Sequence, residues 1–206
     1  MRDSSITLQS LQGAALVPHL EDVARLRIAV FREWPYLYAG DVAYEREYLE
    51  AYARSSNSLV VLARAGDVVV GASTGIPLAE DGAEFQQPFL ERGIDPSTVF
   101  YCGESVLLPA YRGRGIGHGF FDAREAHARA LGGLAHVAFA AVDRDDGDPR
   151  RPAGHRGNEA LWARRGYVRQ PGMTMRLHWN EAGIGDVEHP LTFWLRPLAQ
   201  SPQEQA

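Results

Sequence analysis

Four glycines at alternate positions separate an apolar run from an amphipathic helix pattern in the middle of this sequence. The run SVLLPA is followed by YRGRGIGHGFFDARE over residues 111–125, which contains Gly113, Gly115, Gly117 and Gly119. Glycine lets a backbone approach a ligand closely and point successive N–H groups at one place. The first turn of the helix adds unpaired N–H groups and a partial positive charge, and the neighbouring arginines suit phosphate oxygens. The pattern predicts a strand–loop–helix unit that binds a diphosphate.

The spacing of these glycines excludes two common nucleotide-binding loops. The phosphate loop of nucleotide hydrolases needs G-x-x-x-x-G-K-[ST], whereas all 21 basic residues of this sequence are arginine. The dinucleotide fingerprint needs G-x-G-x-x-G, and its third glycine is missing for every glycine pair that opens such a motif here. The pattern that remains is R-x-x-G-x-G, beginning at Arg112.

Length and composition predict a single domain over residues 1–199 and a disordered tail over 200–206. The net charge of −5 argues against general nucleic-acid binding, which needs a basic face. No apolar run approaches the ~20 residues of a membrane span, so we expect no membrane partner. The single cysteine, Cys102, permits no intrachain disulfide and favours a reducing cytoplasm as the location.

The hydrophobic periodicity predicts a mixed α/β fold. Its order is two helices, three strands, a helix, a strand, a helix and two strands, with a first short strand near Ile6. An acidic segment over 77–96 is predicted to be irregular, with room for one short helix. The predicted helices are 22–31, 42–54, 115–131 and 158–165, and the predicted strands are 59–64, 68–71, 98–108, 136–142, 174–179 and 191–198.

The glycine loop, with Leu-Pro before it and an amphipathic helix after it, resembles the acetyl-CoA pyrophosphate loop of the GNAT superfamily of N-acetyltransferases. A second segment, NEALWARRGY over 158–167, is similar to the family pattern A-x-x-L-Y-x-K-x-G-F. The resemblance extends over nearly the whole chain. It implies a GNAT-type acyl-CoA N-acyltransferase fold, with a central mixed sheet and helices on both faces. It also implies acetyl-CoA as co-substrate, an amine as acceptor and no metal.

The resemblance further implies which residues contact the coenzyme. In the family, the strand before the loop splays from its parallel neighbour, and its free backbone groups bind the pantetheine arm and the acetyl carbonyl. Three of these assignments have an alternative. The loop could be a glycine turn that serves only packing, and Arg114 could be a solvated surface arginine. Asn158 could be an ordinary helix cap. The implied coenzyme-binding residues are Ser105, Val106, Leu107, Arg112, Gly113, Arg114, Gly115, Ile116, Gly117, His118 and Asn158.

Proton transfer is where this sequence departs from the family. Trp162 stands where many members carry a tyrosine that is proposed to protonate the departing thiolate, and an indole N–H cannot deliver a proton. A thiol with a pKa near ~8.5 still leaves tolerably well, but an amine with a pKa near ~10.4 is mostly ammonium at pH 7. A base must therefore take a proton from the acceptor, and a buried carboxylate suits this role.

Glu104 is the leading candidate for that base. Strand alternation predicts that its side chain shares one face with apolar neighbours, whose burial would raise the pKa of the carboxyl. The alternative is a glutamate that pairs with an arginine and braces the sheet. Asp143 is a second candidate, although an ordinary strand-ending residue is the simpler interpretation. The residues predicted to share the face are Phe100, Cys102, Glu104, Val106 and Leu108.

The acceptor side is predicted from an aromatic region over 34–52. Trp34, Tyr36 and Tyr38 lie in a predicted loop and are assigned to acceptor contact. Tyrosines recurring every four residues in the next helix are more typical of a packing stripe. Several carboxylates would favour a cationic acceptor. The alternative is that they are ordinary acidic residues solvated at the surface. The stripe is Tyr44, Tyr48 and Tyr52, and the carboxylates are Asp41, Glu45, Glu80, Asp81 and Glu84.

Three functions are consistent with these observations. The first is an acetyl-CoA-dependent N-acetyltransferase acting on a small-molecule or peptide amine. The second is a non-catalytic module that binds acyl-CoA on the same fold. The third is a transferase that uses another acyl group or an oxygen nucleophile. A homodimer is a further possibility, because the predicted C-terminal strands carry Trp179 and Trp194 and could pair across two copies.

Overall fold

The computed structural model describes residues 5–198, so the tail predicted over 200–206 lies outside the described residues. The helices are α1 (Leu20–Phe31), α2 (Val42–Arg54), α3 (Ala83–Leu90), α4 (Ile116–Leu131) and α5 (Glu159–Arg164). The strands are β1 (Ile6–Leu11), β2 (Leu59–Ala65), β3 (Val68–Pro77), β4 (Val99–Tyr101), β5 (Ser105–Leu107), β6 (His136–Val142), β7 (Val168–Glu181) and β8 (Gly185–Pro197). They form one sheet in the order β1-β2-β3-β4-β6-β8-β7, with β5 paired to β3.

Helices cover both faces of this sheet. On one face, α4 and α5 pack over a cluster that includes Phe100 and Phe120. On the other face, α1 and α2 cover one half through residues such as Leu26 and Leu49, and α3 covers the other half through Phe89. Strands β4 and β6 pair in parallel, while β2–β3, β3–β5 and β6–β8 are antiparallel. The expected mixed α/β sandwich with helices on both faces is confirmed.

Local sequence signals account for several of these elements. The predicted helix 42–54 and strand 136–142 coincide with α2 and β6. Asp41 begins α2 by accepting hydrogen bonds from the N–H groups of Ala43 (2.9 Å) and Tyr44 (3.1 Å), as an N-cap residue does. Within residues 5–198, none of the helices is both long and apolar enough to cross a membrane.

The long strand predicted over 98–108 is interrupted, and that prediction was wrong. It consists of β4 and β5, separated by residues 102–104. The N–H of Cys102 still donates to Ala138 of β6 at 2.8 Å, whereas the carbonyl of Glu104 accepts from Thr74 of β3 at 3.1 Å. Gly103 lies between them, and a Cβ there would collide with the Tyr52 hydroxyl. The chain therefore keeps β3 as a partner and loses β6, at a glycine that the surrounding side chains require.

The interruption also overturns the predicted common face of this strand. Phe100 and Cys102 pack in the cluster under α4, whereas Val106 packs in the cluster under α1 and α2. Glu104 lies on the same side as Val106, beside residues of α1 and α2. The inserted residue shifts the alternation by one position, as a β-bulge does. Glu104 is thus buried among polar and aromatic side chains of α1 and α2 and not in the apolar row that alternation predicts.

Three further elements differ from the sequence prediction. Strand β3 continues to Pro77 through small residues that carry no apolar alternation. Gly75 is one of them, and a bulkier residue there would collide with Phe100. Helix α3, in contrast, is the short helix for which the segment predicted over 77–96 left room. Strands β7 and β8 form a hairpin of 14 and 13 residues, longer than the predicted strands at both positions.

Candidate functional site

The loop between β5 and α4 presents a row of unpaired backbone N–H groups. Gly113 and Gly115 adopt positive φ angles of 76° and 80°, which turn the chain into α4. The N–H groups of residues 113–117 donate to no acceptor within the described chain. A Cβ built at Gly113, Gly115 or Gly117 would meet no atom within 4 Å, so the space in front of them is open. This loop has the free donors and the open approach that a diphosphate requires.

Two arginines flank the loop and bond to the same strand–loop unit. The Arg112 guanidinium donates to the carbonyl of Leu107 at 3.0 Å and pairs with Glu33 at 2.9 Å. The Arg114 guanidinium donates to the carbonyl of Ala110 at 3.2 Å. Both side chains are exposed, and each retains N–H groups directed to solvent. They add positive charge at the mouth of the glycine loop.

The edge of β5 that faces away from β3 has no partner strand. Thr74 donates to the carbonyl of Glu104, and Leu108 donates to that of Val70, so the even-numbered residues bond to β3. Ser105 and Leu107 therefore direct their N–H and C=O groups away from β3, towards the side of β6. Strand β6 pairs with β4 only from His136 to Ala138, and its later residues pair with β8 alone.

A wedge-shaped gap consequently opens between β5 and β6. The N–H of Ser105 and the N–H of Leu107 line it, while the carbonyl of Leu107 is occupied by Arg112. Val106 differs from its two neighbours, because its backbone faces β3 and its side chain is fully buried. Glu104 directly precedes β5, at the end of this strand that is remote from the glycine loop.

The carboxylate of Glu104 is buried in a cluster of charged groups. The side chain is 8% exposed, and its Oε2 forms an ion pair with the guanidinium of Arg27. The same guanidinium pairs with Glu45, which is 1% exposed. The Tyr48 hydroxyl donates to Glu104 Oε2 at 3.4 Å. The other oxygen, Oε1, is shielded from solvent and has no partner within the described residues.

Arg27 is the centre of this cluster. Its guanidinium lies 4.3 Å from the ring centroid of Tyr48 and 5.0 Å from that of Phe31. Burial acts to lower the pKa of Arg27, and the charges of Glu104, Tyr48 and Glu45 raise it well above its usual range. Arg27 is therefore always a cation, and it fixes Oε2 of Glu104 while leaving Oε1 free.

The charge of Glu104 acts on the hydroxyls of four tyrosines. Burial and the charge of Glu104 raise the pKa of Tyr36 to about 12. The same two causes raise the pKa of Tyr48, and the pKa values of Tyr52 and Tyr101 are raised by burial and by the charges of nearby tyrosines and carboxylates. The hydroxyls of Tyr48 and Tyr52 lie 3.2 Å apart. All four phenols stay protonated at neutral pH and can donate hydrogen bonds.

The predicted acceptor-contact residues lie at different depths. The ring of Tyr36 packs between Phe31 and Trp179 at centroid distances of 4.5 and 5.7 Å. Tyr38 lies beside Glu45, and burial followed by the charge of Glu45 raises its pKa. Trp34 packs against the guanidinium of Arg144. Of the three, Tyr36 is the one whose pKa is raised by the charge of Glu104.

The loop that carries these aromatic residues is anchored by Arg144. Its guanidinium donates to the carbonyls of Pro35 (2.6 Å) and Tyr36 (3.0 Å), and it pairs with the buried Glu181 at 2.9 Å. The indole N–H of Trp179 also donates to the Tyr36 carbonyl at 3.0 Å. Arg144 and Trp179 thereby join the loop after α1 to the end of β6 and to the β7–β8 hairpin.

The structure changes the interpretation of two tyrosines near the site and adds an arginine to it. Tyr48 and Tyr52 were assigned to packing, but their hydroxyls reach the Glu104 cluster, whereas Tyr44 is 60% exposed. Arg27 was missed altogether, although its place on the buried face of α1 was a signal. Asp143, the second candidate base, pairs with Arg169 at 2.7 Å and accepts from Thr192 at 2.6 Å.

The acidic residues of the predicted acceptor side do not act alike. Asp41 caps α2, and Glu80 accepts from Asn57 at 2.8 Å. Asp81, after β3, is partly buried; burial raises the pKa of its carboxyl to about 6, and the charges of Glu84 and Glu104 add to this. Asp81 is the member of this group whose charge is coupled to that of Glu104.

Helix α5 provides no ionisable side chain at the family's tyrosine position. Trp162 packs against Phe139 and Trp194 at centroid distances of 5.0 and 5.1 Å. Asn158 occupies the N-cap position of α5, but its exposed side chain makes no capping hydrogen bond. Its side chain is therefore free to contact a ligand. Trp194, which was considered for a contact between two copies, is buried within its own chain.

Comparison with known proteins identifies the family. A model of the Acetyltransferase (GNAT) family matches residues 21–151, more than half of the chain. The chain belongs to the GNAT acetyltransferase family. Membership supports acetyl-CoA-dependent acyl transfer to an acceptor, and the glycine loop and the gap beside β5 fit that coenzyme. The sequence has no significant match among curated proteins.

Solved structures share the GNAT fold over almost the whole chain. The yncA protein of Salmonella typhimurium, solved with its cofactor acetyl-CoA, is 14% identical, with a TM-score of 0.55 and 96% of each chain covered. A ribosomal-protein-alanine N-acetyltransferase from Brucella melitensis is 17% identical, with a TM-score of 0.57, and 93% of this chain and 99% of that chain are covered. A GCN5-related N-acetyltransferase from Kribbella flavida is 20% identical, with a TM-score of 0.54, and 93% of this chain and 98% of that chain are covered.

Proposed function

We propose that this GNAT protein is an N-acetyltransferase that moves the acetyl group of acetyl-CoA to a primary amine of a small molecule or peptide. One observation carries the proposal. The unpaired edge of β5 joins the open glycine loop to Glu104, a buried carboxylate whose Oε1 has no partner within the described residues. A coenzyme site and a proton acceptor therefore adjoin the same short strand of the sheet.

The coenzyme side of the site is assigned to backbone groups. The N–H groups of residues 113–117, supported by Arg112 and Arg114, would hold the pyrophosphate. The free groups of Ser105 and Leu107 would hold the pantetheine arm, and an N–H there would stabilise the charge that develops on the acetyl oxygen. When bound, acetyl-CoA supplies an acetyl group activated as a thioester. Asn158 and His118 are assigned to contact with the rest of the coenzyme.

Glu104 is assigned to proton transfer on the acceptor side. Its Oε1 takes the proton that the amine releases as the C–N bond forms and the C–S bond breaks. Arg27 keeps Oε2 engaged, so the carboxylate does not rotate away. Trp162 delivers no proton to the sulfur, so the coenzyme leaves as a thiolate. Because Oε1 is shielded from solvent, a neighbouring group must move as the acceptor enters.

Acetyl-CoA is expected to stabilise the protein against heat. At a hundred times its dissociation constant it should add about 2.7 kcal/mol to the free energy of unfolding, or about 5–11 °C in Tm. A thermal melt with ATP and NAD as controls measures this shift. An unchanged Tm at millimolar acetyl-CoA would contradict both the enzyme and a non-catalytic acyl-CoA module, since both use the same loop.

Gly117→Ala is expected to separate coenzyme binding from fold stability. Gly117 lies in the first turn of α4 without a positive φ angle, and a Cβ there meets no atom within 4 Å. Alanine in a helix is more favourable than glycine by about 0.5–1 kcal/mol, so the Tm of the free protein should not fall. The added methyl should obstruct the approach of a diphosphate and weaken acetyl-CoA binding about tenfold. Calorimetric titration measures it, with Gly147→Ala in an exposed loop as the matched control.

A non-catalytic acyl-CoA module is the second candidate function. Two observations favour it: Trp162 replaces the family's tyrosine, and Glu104 is paired with Arg27. A panel of small amines and N-terminal peptides, assayed for thiol release from acetyl-CoA, distinguishes the two. Acetyl-CoA binding without turnover of any acceptor would favour the module. Exchanging amines for alcohols and acetyl-CoA for longer acyl-CoAs tests a different acyl group or an oxygen nucleophile.

A further inference from the structure

A polar groove lies between α4, α5 and the end of β8. Its volume is about 590 Å³, which is in the size range of small-molecule sites. The arginines that line it are Arg129, Arg164, Arg165 and Arg196, and the carboxylates are Asp122 and Glu125. Four positive charges thus face two negative ones on a concave surface. Such an excess of positive charge favours an anionic ligand.

Glu125 explains the presence of three of these arginines. It is 3% exposed, and its carboxylate accepts from Arg196 at 2.6 Å and from Arg165 at 3.2 Å. Arg129 lies 3.7 Å from the same carboxylate, and Arg165 also bonds to Asp122 at 2.6 Å. These contacts neutralise a buried carboxylate and join α4 to the end of α5 and to β8. The three arginines therefore have a role in the fold.

Arg164 has no such role. It is the last residue of α5, its side chain is exposed, and it lines the groove. The two carboxylates of the groove bond to Arg165 and Arg196, and among the described residues Arg164 has neither an ion pair nor a side-chain hydrogen bond. Its planar set of five N–H donors is free, and this geometry suits the oxygens of a phosphate.

The groove begins beside the glycine loop. His118 lines it and directly follows Gly117, in the first turn of α4, with an exposed side chain. Asp122 lies four residues further along, on the same face of α4, and its bond to Arg165 brings the end of α5 to this part of the helix. A ligand that extends from the glycine loop past His118 therefore enters the groove next to Arg164.

We infer that this groove binds the 3′-phosphate of acetyl-CoA, with the side chains of Arg164 and His118 as its direct partners. In coenzyme A this phosphate is attached to the same ribose as the pyrophosphate, so the two anionic groups are one sugar apart. The inference rests on the proposed function, which assigns the pyrophosphate to the glycine loop. It adds a requirement for the nucleotide half of the donor, because an acetyl group carried on pantetheine alone would not reach Arg164.

The test compares acetyl-CoA with 3′-dephospho-acetyl-CoA in calorimetric titrations of the full chain. We expect loss of the phosphate to weaken binding about tenfold to a hundredfold, the range for hydrogen bonds to a charged group. The two donors share the thioester, the pantetheine arm and the pyrophosphate, so the ratio of their affinities isolates the 3′-phosphate. The ratio should also fall as the salt concentration rises, because the charges involved are exposed.

Arg164→Met should reduce this ratio to near one, by weakening acetyl-CoA and leaving the dephosphorylated donor unchanged. Arg46→Met is the matched control. It removes the same charge from another exposed helical arginine, on α2, which covers the opposite face of the sheet. The control should keep the wild-type ratio. Because both side chains are exposed, we expect both variants to keep a Tm close to that of the wild type.

The outcomes separate the inference from the proposed function. Equal affinity for the two donors, or a ratio that Arg164→Met leaves unchanged, would overturn the inference and leave acetyl-CoA binding standing. If neither donor binds, the proposed function fails, and titration with adenosine 3′,5′-bisphosphate and adenosine 5′-phosphate tests the groove by itself. A preference for the bisphosphate that Arg164→Met removes and Arg46→Met keeps would then support the phosphate site. Equal binding of the two nucleotides, or none, would overturn it.

Discussion

Glu104→Gln is expected to lower kcat about 100- to 10,000-fold, the range that a positioned general base contributes. Glutamine keeps the shape of the side chain and can still accept a hydrogen bond from Arg27 or Tyr48. It cannot take a proton from the acceptor amine. Steady-state kinetics with the best acceptor from the panel measures the effect, and the affinity for acetyl-CoA should stay close to that of the wild type.

Glu45→Gln is the control for this variant. It removes the same charge from the same guanidinium, because Glu45 and Glu104 both pair with Arg27. A loss of kcat in Glu104→Gln that came only from disturbing Arg27 would appear in Glu45→Gln as well. We expect Glu45→Gln to keep kcat within about tenfold of wild type, since Glu45 lies on the far side of the guanidinium. Equal losses in the two variants would remove Glu104 from the mechanism.

The conformation of the glycine loop was largely predictable from the sequence, because its information is local. Glycines at fixed spacing, an apolar run before them and a helix after them lie within some twenty-five residues. The conformation depends on φ angles that glycine alone adopts readily, as at Gly113 and Gly115. The same locality explains why the bounds of α2 and β6 were predicted correctly. Side-chain periodicity within one element is sufficient for them.

The acceptor side was less predictable, because its geometry depends on contacts between distant segments. The break at Gly103 arises where the chain stops pairing with β6 and its register against β3 shifts by one residue, and no local signal marks this point. That break turned Glu104 towards α1 and α2. Arg27, 77 positions earlier in the chain, then became its partner. A buried arginine in an amphipathic helix was the available signal, since arginine is rarely buried without a carboxylate.

Arg27→Met is expected to destabilise the protein by about 3–5 kcal/mol, the usual cost of removing one partner from a buried ion pair. Methionine fills much of the same volume, so the loss measures charge more than packing. The variant leaves Glu45 and Glu104 buried side by side without a cation. For a chain of this length the Tm should fall by about 6–20 °C. Chemical denaturation with a two-state fit measures the free energy of unfolding.

Arg25→Met, two positions away on the same helix, is the matched control. Arg25 pairs with Glu21 at 2.5 Å, but the two side chains are 69% and 56% exposed, so the pair should contribute less than about 1 kcal/mol. The deficit of Arg27→Met should shrink as the pH falls, because acid neutralises the two buried carboxylates that the variant leaves without a cation. A deficit that stays constant with pH would show that packing, and not the charge of Arg27, stabilises this part of the fold. In that case Arg27 would not be the group that fixes Glu104 for proton transfer.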